Sequence, residues 1–475
     1  MTKFAQFLIL ITIVSCSSLT QRRASNEIAS MYSKGEYQSL VNKIKKKDFY
    51  KREQDRFLKQ AELGTLFFRL GNYQQALDSF RAARDISDDL YKIRLSKKIK
   101  SFLLNDSEDI YYPNPYELSM IRFYEILSVI KILETENKSQ NKVMLESLSR
   151  DWQAYLDNLK DRKLGEADFK GVVLADLLAY VLHGYLGTRS DISQMKSFRK
   201  IAKRNLKTKM GLYESYNEKF KVYRKDFSKL HRKSNKELFS KYIGKTQVYS
   251  DVESFLKMPY RQILVVLRGN IKTKKPKKYT FPIDLFGVAA TNNLSKGDFV
   301  SFSTRILSLT SATNPKIAFE LPTIKSTPRV KNDMFNILNS DKVIFSGRSI
   351  MASNNSEVMK KLLDEESSKA KVRVGTKLVA KHLGILLTAY GTYRLLRDKQ
   401  GEFVAYLTAA ASYAVANKAV EAMELADLRS WGGIHDYVDF VPLSLKKGDY
   451  TLDYLGNKIP FKVTGQKKQI IPLVL

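Results

Sequence analysis

Hydrophobic spacing divides the chain into two kinds of territory. From Glu62 to Ile86, apolar and small residues recur three and four positions apart, the period of a helix face. Leu63, Gly64 and Phe67 lead into the turn pair Gly71-Asn72, and Tyr73, Ala76, Phe80 and Ala83 follow. The earlier stretch "MYSKGEYQSLVNKI" repeats the spacing thirty-six residues upstream, with Gly35, Tyr37, Leu40 and Ile44 at equivalent places. "PYELSMIRFYEILSVIKIL" and "GVVLADLLAYVLHGYLGTRSDISQMKSFRKIA" read as further helical pairs. After Gly244 the pattern changes. "RQILVVLRGN", "KKYTFPID", "PKIAFELPTI" and "DKVIFSG" are short apolar runs bounded by turn residues, which predicts strands. Two helical stretches follow, Glu357 to Arg397 and Glu402 to Leu428, with small residues (Gly384, Ala389, Gly391; Ala405, Ala409, Ala410, Ala414) that predict close mutual packing. The last segment, "DYVDFVPLSLKKGDYTLDYLGNKIPFKV", alternates as a hairpin around Lys447-Gly448.

The Glu62–Ile86 window resembles a tetratricopeptide repeat. In that reading Gly64 and Ala76 are small where two antiparallel helices touch, and Leu63, Phe67, Tyr73, Phe80 and Ala83 fill the space around the contact. One hairpin cannot bury its own face, so the repeat implies neighbours. The expected fold is α+β, mainly α: a tetratricopeptide-like helical array over 26–245, then a mixed domain of strands and a long helical pair over 246–475.

The ends of the composition change the picture next. Met1–Ser15 carries Lys3 and then an apolar run from Phe4 to Val14. Eleven helical residues span about 16 Å, short of a ~30 Å hydrocarbon core, so the run reads as a secretory leader. Ile13-Val14-Ser15-Cys16 resembles a bacterial lipobox, and Cys16 is the single cysteine of 475 residues. The resemblance implies a leader over 1–15, acylation of Cys16 and a tether over 16–25. Ser17, not aspartate, follows the cysteine. That choice implies sorting to the outer membrane, facing the periplasm. A chain with its one thiol acylated has no sulfur left for disulfides or metal thiolates.

The formal charge of +32 would suggest nucleic acid in a cytoplasmic protein. The export signal argues against that partner. Lys196–Lys245 holds seventeen Lys or Arg against four Asp or Glu, and "KTKKPKK" follows at Lys272–Lys278. Such density attracts anionic polymers or lipids, with Lys196, Arg199, Lys200, Lys203, Arg204, Lys272, Lys274, Lys275, Lys277 and Lys278 as the candidate contacts. The aromatics Tyr213, Tyr216, Phe220, Tyr223 and Phe227 interleave the first cluster at helical spacing and read as core.

The repeat near the N-terminus, the "ILVVLRGN" and "AFELP" strands, the helical pair ending in "ADLRSW" and the "KKGDYTLDYL" strands occur in an order that resembles an uncharacterised group of bacterial envelope lipoproteins. The departure follows Trp431, where "GGIHDY" replaces an expected aliphatic, proline-containing link. The resemblance implies location and architecture, not a reaction.

Candidate chemistry is sparse. His183, His231, His382 and His435 are scattered without metal-ligand spacing, and no nucleophile elbow, phosphate loop or dinucleotide fingerprint is present. His382 reads as a satisfied interior or boundary histidine, His435-Asp436 as a turn or surface pair, and Arg429 with Trp431 as an anchor, an indole under a guanidinium, for packing or for an interface. The expectation is therefore a non-enzymatic envelope scaffold without cofactor or metal, docking another envelope protein such as peptidoglycan or surface-polymer machinery. Binding of an anionic polymer or lipid is the alternative, and an unrecognised periplasmic enzyme the second.

Overall fold

Gly35 and Gly71 end two helices in the same way. Both have positive φ (72° and 80°), and in each turn the next residue reaches back five positions, Glu36 N–H to Met31 O and Asn72 N–H to Phe67 O. This is the glycine-terminated closure that a Cβ would strain. The computed structural model describes residues 23–46, 48–96, 110–136, 139–161, 173–208, 254–257, 260–282, 297–309, 316–325, 333–423 and 426–475, with 260 following a short gap. The helices joined at these turns are α1 (23–33) with α2 (Tyr37–Lys45), and α3 (Arg56–Arg69) with α4 (Tyr73–Ser96). A Cβ on Gly64 would stand 2.5 Å from the Phe80 ring, so glycine is what lets α3 and α4 close. The tight contact is thus Gly64 on Phe80, with Ala76 and Ala83 buried beside it.

α5 (Pro115–Thr135) follows, opened by a capping box of Asn114 and Glu117 with Pro115 in the first turn. It is buried on nearly every side, from Pro115 to Ile130. α6 (Ser139–Asp161) packs on it, and the Trp152 indole donates to Ser119 Oγ at 2.7 Å. α7 (Val173–Leu186) and α8 (Arg189–Thr208) form the next pair. Buried His183 Nδ1 lies 2.9 Å from Asp191, whose carboxylate also caps the α8 start through Thr188.

Two four-stranded sheets lie beyond the helices. The first has the order β10-β1-β7-β6, from Gln469–Val474, Gln262–Arg268, Tyr437–Leu443 and Ile350–Asn354; β1 and β10 are parallel and the other pairs antiparallel. The second, antiparallel, has the order β5-β4-β8-β9, from Lys342–Arg348, Met334–Asn339, Gly448–Tyr454 and Asn457–Val463. β1 is apolar without alternation because it is covered on both faces. Ile263, Val265 and Leu267 face the helices, and Leu264 and Val266 face the second sheet. The layers run helices, sheet, sheet.

The remaining elements form a satellite. β2 (Lys275–Pro282) and β3 (Lys316–Thr323) pair, and α9 (Gly297–Leu309) packs on the long hairpin of α10 (Asn355–Gln400) and α11 (Glu402–Met423). Gly401, at φ 84°, turns that hairpin.

The fold is mainly α with small sheets, as expected. Two finer expectations are corrected. β7 and β8 do not form a hairpin across Lys447-Gly448 but enter different sheets, with Val441 and Leu443 of β7 and Leu452 and Tyr454 of β8 sharing one hydrophobic core between the sheets. The hairpin is β8–β9, turned by Leu455 and Gly456 at φ 53° and 80°. In the α10–α11 pair, Ala389, Ala405 and Ala409 make the close contact, whereas Gly384 and Gly391 face open space. The boundary at 245/246 and the aromatic run Tyr213–Phe227 lie outside the described residues, but one hydrophobic core crosses the divide, from Ile28 to Ile470.

Candidate functional site

The segment 426–436 returns from the hairpin and threads against α3, α4 and α5, and this seam is where buried polar groups gather. Glu62 and Thr65 stand on the side of α3 that meets it, and both are fully buried. Glu62 accepts from Tyr32 Oη at 2.6 Å, from the Gly432 N–H at 2.6 Å and from Tyr50 Oη at 3.2 Å. Burial, opposed by these donors, pushes its carboxyl up to about 7. Gly432 and Gly433 let the backbone come this close. A Cβ on Gly433 would collide with Thr65 Oγ1 and lie 2.5 Å from Tyr32 Oη. The "GGIHDY" departure is therefore the point where the returning chain hydrogen-bonds to α3.

The same segment carries two other polar anchors. Arg429, 6% exposed, donates to Asp55 at 2.8 Å and to Asp427 at 2.7 Å. Trp431 is fully buried against Phe80 and Tyr124, and its indole N–H meets Thr65 Oγ1 at 3.3 Å. The expected anchor is thus a packing element, but the guanidinium lies over the Tyr111 ring and not over the indole. His435-Asp436 corrects the surface reading. His435 is fully buried, with Nδ1 2.6 Å from Tyr124 Oη, and burial, with Arg69 nearby, holds its imidazole well below the ordinary range. Asp436 accepts from the Ser356 N–H at the start of α10. His382 is also corrected. It is interior, 2% exposed, yet neither ring nitrogen meets a partner among the described residues, and burial pushes its pKa down to about 4.

Outside this seam lies a cavity of about 880 Å³. Its walls are α1, the Phe49-Tyr50 segment, the link from Gly269 to Lys275, and Arg429–Gly432. Ile28, Tyr32, Phe49 and Ile271, all buried, give it an apolar floor. Arg69 and Arg429 reach it but are engaged, Arg69 with Tyr37 Oη and Asn270, and Arg429 with Asp55 and Asp427. Four exposed lysines ring it: Lys34, Lys272, Lys275 and Lys325. None has an ion-pair partner among the described residues, and Asp55 carries the sole acidic side chain among the lining residues.

The expected anionic contacts are only partly brought together. Lys272 and Lys275 line the cavity. Lys274 is diverted, donating to Arg429 O at 2.8 Å. Lys277 and Lys278 are exposed on β2. Lys196, Arg199, Lys200 and Lys203 stand on α8 and do not line the cavity. The Arg204 side chain and Cys16 lie outside the described residues. Sequence reasoning missed Lys34, Lys325 and the Glu62 network. Its visible signal was the polar set Glu62, Thr65 and Arg69 at helical spacing inside an otherwise apolar window.

Among the described residues, no three His, Cys, Asp or Glu side chains converge as metal ligands, and no helix is long and apolar enough to cross a membrane. Comparison with family models, curated proteins and solved structures gave no match.

Proposed function

We propose that this chain is a lipoprotein of the bacterial envelope that acts by binding, and that its cavity takes an anionic amphiphile, an acidic head group on an apolar body. The observation that carries this reading is the ring of four unpaired lysines, Lys34, Lys272, Lys275 and Lys325, around an apolar floor. The cavity's volume falls within the range of small-molecule sites, roughly 300–1,000 Å³. A head group meets the lysines at the mouth, where screening is strong, and the chain of the ligand covers Ile28 and Phe49. Acylation of Cys16 and an outer-membrane, periplasm-facing position complete the reading, on the lipobox and the resemblance to envelope lipoproteins. The N-terminal helices are read as a tetratricopeptide-like array, supported by the matching turns at Gly35 and Gly71.

The test is binding of a short-chain phosphatidylglycerol to the full chain, against phosphatidylcholine of equal chain length. The wild type prefers the anionic lipid, the preference shrinks as salt rises, and the combined change of all four lysines to serine removes it. Equal binding of the two lipids, or an unaffected lysine variant, refutes the reading.

Docking of an envelope protein is a second reading, favoured by β5. This edge strand exposes Val343, Ile344 and Phe345 in succession and leaves one side of its backbone unpaired within the described sheet, the geometry that accepts an added strand. Crosslinking from a probe at Ile344 to one envelope protein supports it, and loss of no partner on Ile344→Lys counts against it.

A further inference from the structure

The long hairpin presents an apolar face that no described residue covers. α9 packs on one side through Phe299, Phe302 and Ile306. On the opposite side Leu395 and Phe403 are 72% and 75% exposed, and Leu387, Val404, Leu407 and Val415 continue the surface along both helices. Such exposure of large apolar groups in one patch is uncommon on a soluble surface. Apart from the neutral, buried His382, no titrating charge occurs from His382 to Tyr393 or from Phe403 to Asn417, and Leu395 lies just past the first of these stretches, next to Arg394. Its hydroxyls are already satisfied. Thr388 and Thr392 on α10, and Thr408 and Ser412 on α11, each donate to the carbonyl four residues earlier, at 2.9–3.1 Å. A face so arranged loses no hydrogen bond when water leaves it.

Two observations select the occupant. Exposed Arg394, Arg397 and Lys399 crowd the α10 end of the patch, with Asp398 and Glu402 the nearby acids. The whole chain carries +32, so two copies brought face to face repel, whereas an anionic surface attracts. The length also decides the posture. From Gly384 to Leu395 the face runs about 16 Å at 1.5 Å per residue, too short to span a hydrocarbon core but enough to lie in its interface. We propose that the outer face of the α10–α11 hairpin lies in the headgroup region of an anionic bilayer, a second membrane contact that stands on the folded surface and does not need the lipid on Cys16.

The experiment uses the full chain with Cys16→Ser, which removes the acylation site and leaves no cysteine. Phe403→Cys then supplies a single thiol for an environment-sensitive dye, and Asn339→Cys, at the exposed end of β4, is the control. Vesicles are phosphatidylcholine alone or with about a third phosphatidylglycerol. The dye at 403 shifts to the blue on the anionic vesicles and the dye at 339 does not. Leu395→Asp, Phe403→Asp and Leu407→Asp combined, all at exposed positions that leave the circular dichroism unchanged, lower vesicle partitioning by about tenfold or more. Partitioning unaffected by the triple change, or equal shifts at 403 and 339, overturns the proposal. So does a concentration-dependent dimer that the triple change dissolves, since the face would then belong to a second copy.

Discussion

Replacing Glu62 by glutamine should make the protein more stable relative to wild type as pH rises. In the fold the carboxyl is pushed from an ordinary 4.5 to about 7 by burial, and in the unfolded chain it returns to the ordinary value. Between those pH values the folded state holds a proton that the unfolded state has released. Stability from this group is therefore full below pH 4.5 and is lost as pH rises through 7. At about 1.4 kcal/mol per pH unit the loss is about 3 kcal/mol. Glutamine mimics the protonated acid. Its amide nitrogen, where Oε2 sits, donates to Tyr32 Oη, which can in turn donate to Thr65 Oγ1, 3.2 Å away. Its oxygen still accepts from Gly432 and Tyr50. At roughly 2 cal/mol/K per residue, a 475-residue chain unfolds with an entropy near 1 kcal/mol/K. The Tm difference, variant minus wild type, should then grow by about 3 °C between pH 4.5 and pH 8.5. Differential scanning calorimetry in matched buffers measures it, and other titrating groups, including buried Glu125, cancel between the two proteins. Glu62→Leu separates this charge effect from loss of acceptors. It removes the acceptor of three hydrogen bonds, strands the Gly432 N–H, and lowers Tm at every pH. A Tm difference that is flat with pH, or that grows toward acid, refutes the protonation argument.

Two further predictions concern single residues. Gly64→Ala should destabilise by about 1–3 kcal/mol, because the new Cβ falls 2.5 Å from the buried Phe80 ring. Gly391→Ala, in open space on α10, should stabilise by about 0.5–1 kcal/mol through helix propensity; the opposite signs of the two Tm shifts are the check. His382, held neutral with its pKa down at about 4, contributes stability that is present above pH 6.5 and lost as pH falls through 4. His382→Leu should therefore protect against acid, gaining about 3 kcal/mol relative to wild type between pH 7 and pH 4, read as a slower fall of Tm on acidification.

Much of the secondary structure was legible because it is set by neighbours in the chain. The Leu63–Ala83 spacing, the unbroken run Ile263–Leu267 and the small residues of the long hairpin each report their own burial. Pairing was not legible, since it depends on distant partners. Nothing local says that Val441 and Leu452 share a core between two sheets and not across a hairpin, or that β1 runs parallel to β10. The candidate site was half visible. Lys272 and Lys275 stood out as a charge run, but Lys34 and Lys325 are single residues whose relevance arises only when α1 and the end of β3 approach the same opening. Glu62 was overlooked because a repeat motif is defined by its apolar positions, and an acid among them looks like the solvated side of the helix.

That buried acid has a reason in the topology. Segment 426–436 joins elements more than three hundred residues apart, and apolar contact alone would let an extended strap slide along α3. Trp431 fixes depth but not register, since an indole tolerates small shifts along an apolar groove. Glu62 removes the freedom: its two oxygens accept from Tyr32, Tyr50 and the Gly432 N–H at once, and a slip of one residue strands a carboxyl in the core. The Arg429–Asp55 pair, three residues earlier on the strap, holds the other end at 2.8 Å. Tyr32, Tyr50, Gly432, Arg429 and Asp55 all line the cavity as well. The network that sets the register of the strap is therefore also the wall of the proposed site, so a ligand there stabilises the seam by mass action.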